Sequence, residues 1–94
     1  MQEKAPKNLD YLEQKRLAAE KRKLLNRFNK VEDLIGDLEE EIDVLNTEMA
    51  NPAVAADFTR LAELAAEADK KNTELESLME EWEELQLEIE EKNY

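Results

Sequence analysis

Ninety-four residues hold one small domain, and with 40% charged residues, 5% aromatics, one glycine and two prolines there is too little apolar bulk for a thick globular core. The absence of cysteine and histidine excludes a disulfide framework and removes the commonest zinc ligands, general bases and thiol nucleophiles. The net charge of -12 is unevenly spread: residues 1–30 hold nine Lys/Arg against four acids and residues 31–94 hold four against twenty-one, so a basic head precedes a long acidic remainder.

The opening "MQEKAPKN" has no apolar stretch and reads, over residues 1–9, as a linker or the tail of a preceding domain. Apolar runs elsewhere fall far short of the roughly 20 residues of a membrane span. Asp10 followed three residues later by Glu13 has the form of a capping box, which predicts a helix over 11–50. Along it the apolar residues recur at steps of three and four: Leu17, Leu24, Val31, Leu38 and Leu45 at heptad position d, and Phe28, Ile35, Ile42 and Met49 at a, with Lys21 as the exception. Leu25 and Leu34 widen the stripe. Gly36 falls at b, facing water, at a cost of about 1 kcal/mol relative to alanine.

"NPAVAAD" interrupts the rhythm. Pro52 lacks a backbone donor and pushes Asn51 out of the helical region, so one continuous helix is broken here. Asn51 and Pro52 fit the N-cap and first residue of a short turn, and Asp57 fits the N-cap of a second helix. That helix is expected over 58–91, with Leu61, Ala68, Leu75, Trp82 and Ile89 in a strict seven-residue repeat and 92–94 as a C-terminal tail. Two apolar stripes joined by a tip at 51–57 must hide each other, so the fold class is all-α, an antiparallel two-helix coiled-coil hairpin. Setting Met49 against Phe58 across the tip puts Phe28 near Met79 and Leu24 near Trp82, with a bulky cluster at the open end.

Paired carboxylates in "LEEEID" and "MEEWEELQLEIEE" read as a solvated acidic face, since no calcium-loop spacing with its turn glycine is present, and no catalytic or metal residues are assigned. Trp82 belongs to the heptad and reads as core, not as a stacking platform. The basic head carries the functional content. Lys15, Arg16, Arg22, Lys23 and Lys30 fall at b and c on the outward face, Lys21 lies in the seam, and Arg27 at g is placed to pair with the acidic second helix. Five cations over about 22 Å of helix suit contact with phosphates without reading of base sequence. The residues alone leave phosphate contact and plain solvated surface both open.

The succession "DYLEQKR", a basic run, "VEDLIGDLEEEIDVLNTEMANPAVAADFTRLAEL" and "LMEEWEEL" resembles the C-terminal domain of ABC-F proteins, soluble ATP-binding cassette ATPases with two nucleotide-binding domains. The likeness covers roughly residues 9–91; its more telling parts are "EMANP", the aromatic Phe58 soon after, and the tryptophan of "EEWEEL". The resemblance implies a coiled-coil appendage of an ATPase that acts in the cytoplasm, on ribosomes and in some members on DNA. ATP and magnesium would be held by the ATPase domains and no cofactor by this part. It also implies nucleic-acid contact through Lys15, Arg16, Lys21, Arg22, Lys23, Arg27 and Lys30. The expected partners are therefore nucleic acid, through weak backbone contacts, and the chain's own ATPase domains. A competing expectation is a structural spacer or protein-binding hairpin with no nucleic-acid role, a monomer or weakly self-associating through Leu25, Leu34 and Leu64.

Overall fold

The computed structural model describes the backbone of residues 4–94 and the side chains of residues 10–94. Three helices follow one another: α1 (Lys4–Ala50), α2 (Pro52–Ala55) and α3 (Phe58–Glu91), and the chain is all-α, with no strand among the described residues. The body measures 81 × 18 × 14 Å. No helix among the described residues is long and apolar enough to cross a membrane.

α1 starts earlier than the sequence predicts. The expected capping box lies inside the helix: Asp10 is exposed, and the Glu13 carboxylate accepts from Arg16 instead of turning back to a free backbone donor. Pro6 is no obstacle, because it falls in the first turn, where a backbone N–H has no helical partner anyway. The linker expected over 1–9 is thus helical in backbone from Lys4, and residues 1–3 lie outside the described residues.

Both corners form as local chemistry dictates. Asn51 is extended (φ -65, ψ 125), its Oδ1 accepts the Ala53 N–H at 3.0 Å, and Pro52 follows at the first helical position. Asp57 is likewise extended (φ -95, ψ 98) and accepts the Arg60 N–H at 3.2 Å, which launches α3. At the far end Asn93 takes a left-handed φ of 57, the Asn93 N–H reaches Glu90 O, and the Tyr94 N–H reaches Ile89 O at 3.0 Å. That is a Schellman stop, and it turns the expected tail back onto the helix pair.

The core is thin. Val31, Leu38, Ile42 and Leu45 of α1 and Leu64 and Ala68 of α3 are buried, and Met49 and Val54 close over the Leu45–Leu64–Ala68 group. Contacts between α1 and α3 run from Glu48 with Arg60, through Glu41 with Lys71, to Arg27 with Glu81, and beyond the end of α3 Tyr94 meets Lys21. Phe28 stacks on Trp82, ring centroids 5.6 Å apart, one turn along α3 from the Met79 that the sequence reading sets against it, while Glu48–Arg60 and Arg27–Glu81 lie within a residue of the expected register. At the corner Val54 of α2 packs together with Met49 on the Leu45–Leu64–Ala68 group, and Phe58 is left 86% exposed. Of the bulky cluster anticipated at the other end, Leu24, Leu25, Phe28, Leu78 and Trp82 are only half-buried and Met79 is exposed.

Candidate nucleic-acid interface

All seven candidate cations lie on α1 between Lys15 and Lys30, and all are exposed. Their surroundings divide them. Arg16 donates to Glu13 and, at 2.6 Å, to Glu20, so its charge is shared with two carboxylates one turn away on either side. Hydrogen bonding from Arg16 lowers the pKa of Glu13, and the same bond raises that of Arg16. Arg27 donates from Nε and Nη2 to the two oxygens of Glu81 at 2.6 and 2.7 Å, a fork-on-fork pair between α1 and α3. That bond, above all other causes, raises Arg27 and lowers Glu81. Lys21 places its ammonium 5.3 Å from the centre of the Tyr94 ring, a cation–π contact that the Asn93 turn makes available.

Lys15, Arg22, Lys23 and Lys30 form no ion pair or side-chain hydrogen bond among the described residues. They occupy b and c, away from α3, and span about 22 Å of helix. Chemically this is a row of mobile ammonium groups with one guanidinium fork, suited to oxyanions such as phosphate and carrying no shape that selects a base. Among the described residues no three acidic side chains gather as a metal site. A shallow depression beside the row mixes Glu20, Lys23, Arg27, Glu88 and Lys92 around Leu24 and Leu85, so the row's inner border is lined by both signs.

Two features escape the sequence reading. Leu64, offered there for self-association, is 2% exposed and belongs to the core, whereas Leu25 and Leu34 are half-buried. Tyr94 joins the basic head, and its only sequence cue is the asparagine before it, the residue after glycine that best tolerates a left-handed C-terminal stop.

The sequence model of the ABC transporter C-terminal domain matches residues 8–87. The chain belongs to this family. Within this ABC transporter C-terminal domain, 61 residues are 44% identical to the uncharacterized ABC transporter ATP-binding protein YfmR of Bacillus subtilis (strain 168). The alignment covers 65% of the present chain and 9% of that relative, so the domain spans a small fraction of the relative's length. No solved structure matches the domain.

Proposed function

We propose that this ABC transporter C-terminal domain is a non-catalytic appendage of a soluble, cytoplasmic ATP-binding protein of the ABC-F type. In this reading α1 and α3 form an antiparallel coiled-coil hairpin. Its basic stripe touches the phosphate backbone of DNA, ribosomal RNA or tRNA, while ATP and magnesium are handled by the ATPase domains of the parent protein. The observation that carries it is the outward set Lys15, Arg22, Lys23 and Lys30, exposed and without acidic partners among the described residues on a chain whose net charge is -12. Cations left out of ion pairs amid so many carboxylates are placed for an external anion.

The test is fluorescence anisotropy with labelled duplex DNA and a structured RNA at low salt. Binding is expected to be weak, to fall steeply with added salt, and to vanish in the triple variant Arg16→Glu, Arg22→Glu, Lys23→Glu. No signal for either nucleic acid at high micromolar protein refutes the reading. That outcome favours a second one, a spacer or protein-binding hairpin, which draws its support from Phe58, left 86% exposed at the corner between α2 and α3.

A further inference from the structure

One edge of α1 pairs with itself in charge. Positions b and e read Lys15, Ala18, Arg22 and Leu25, then Asn29, Glu32, Gly36 and Glu39, at alternating steps of three and four residues. About a point near Arg27 the order reverses: cation, small residue, cation and leucine on one side meet asparagine, acid, glycine and acid on the other. Lys15, Arg22, Glu32 and Glu39 are exposed, and none forms an ion pair among the described residues. Beside the acidic half, between α1 and α3, lies an open groove of about 380 Å³ with Ile35, Met79 and Trp82 on its walls. Glu32, Glu39 and Glu83 border it, and Gly36 leaves a gap there, since a Cβ added at that position meets no atom within 4 Å.

We propose that a second copy of this chain docks on this edge, its α1 antiparallel to the first. A two-fold axis on this edge between Leu25 and Asn29 then sets Leu25 against Asn29, Arg22 against Glu32, Ala18 against Gly36, and Lys15 against Glu39 of the second copy, with every contact made twice. The axes cross at the central Leu25–Asn29 pair, and about 14 Å along the helix to either side the small alanine–glycine pair lets the two backbones stay close. The basic head of one copy covers the acid-bordered groove of the other. Charge complementarity selects the occupant: the edge is complementary to itself at one constant register, so no foreign helix is needed to explain either half. Lys15 and Arg22 are shared with the nucleic-acid row, which makes the two associations compete, yet the dimer does not depend on that row binding anything.

Sedimentation equilibrium of the 94-residue chain at low salt tests this without nucleic acid. The expected result is a concentration-dependent rise from 11.0 kDa toward twice that mass, reversed by added salt. Arg22→Glu and Glu32→Arg should each raise the dimer dissociation constant roughly tenfold, because each turns two attractive pairs into two repulsive ones. The double variant should restore it, since the exchanged charges face each other again. The chain has no cysteine, so a mixture of Ala18→Cys and Gly36→Cys chains under air oxidation should form the mixed disulfide, while neither variant alone should cross-link. Circular dichroism of each variant verifies that the helices persist. A chain that stays monomeric at high micromolar concentration in low salt overturns the proposal. So does a dimer indifferent to both reversals, or one whose mixed cysteines fail to link.

Discussion

Replacing Leu64 by alanine removes the most deeply buried leucine of a core built from six buried residues, at a site packed by Leu45 and Ala68 under Met49 and Val54. Leu→Ala substitutions at sites of this kind cost about 2–5 kcal/mol, the spread depending on how far the surroundings collapse. Two helices with open flanks collapse easily, so a value of about 3 kcal/mol is expected. For a chain of this size total stability is on the order of 5–14 kcal/mol, so the change takes a large share of it and lowers Tm by roughly 12–24 °C. Leu87, also on α3 but 59% exposed, is the control: Leu87→Ala should stay within about 0.5 kcal/mol. Urea unfolding followed by circular dichroism reads the helices as a whole, and the fluorescence of Trp82, the only tryptophan, reads the end of α3 away from Leu64. If Leu64→Ala costs less than about 1 kcal/mol, or no more than Leu87→Ala, the placement of the core around Leu64 is wrong.

Gly36→Ala should raise stability by about 1 kcal/mol, because its backbone is ordinary helix, the added methyl meets open space and the unfolded chain loses freedom; a lower Tm would contradict that open space. Acid should weaken the Arg27–Glu81 link. The hydrogen bond from Arg27 holds the Glu81 carboxyl below its ordinary 4.5, so its contribution is fully present above that pH and is lost as pH falls through the lowered value of the folded state. Glu81→Gln should therefore be less stable than the parent at pH 7, and the gap should narrow in urea titrations near pH 3; a gap that widens in acid contradicts the pairing.

How much of this was legible in the sequence differs from residue to residue. The break at Asn51–Asp57 was readable because Pro52, Asn51 and Asp57 act through their own backbone and nearest neighbours, and the apolar steps of three and four placed Val31, Leu38, Ile42 and Leu45 on the inner face. The start of α1 was not, since an acid pair three residues apart looks the same at a helix start and within a helix, where Arg16 takes up Glu13. The partner of Phe28 escaped because Met79 and Trp82 lie one turn apart on α3 and by spacing either can meet it. At the tip Phe58 was read as facing Met49, whereas Val54 joins Met49 on the Leu45–Leu64–Ala68 group and Phe58 stays exposed. The candidate cations were readable as a face. The engagement of Arg27 was readable from its g position facing the acidic second helix; Arg16 was read as an outward cation although Glu13 and Glu20 one turn away take it up, and Lys21 required the Asn93 turn.

Slenderness has a mechanical consequence. With α1 running about 70 Å from one end toward the Pro52 corner, a tilt of about 5° at the basic end swings that corner through roughly 6 Å. Whatever grips one extremity is thereby coupled to the other by stiffness alone, and a small rotation at the root arrives at Phe58 as a stroke longer than a full helical turn.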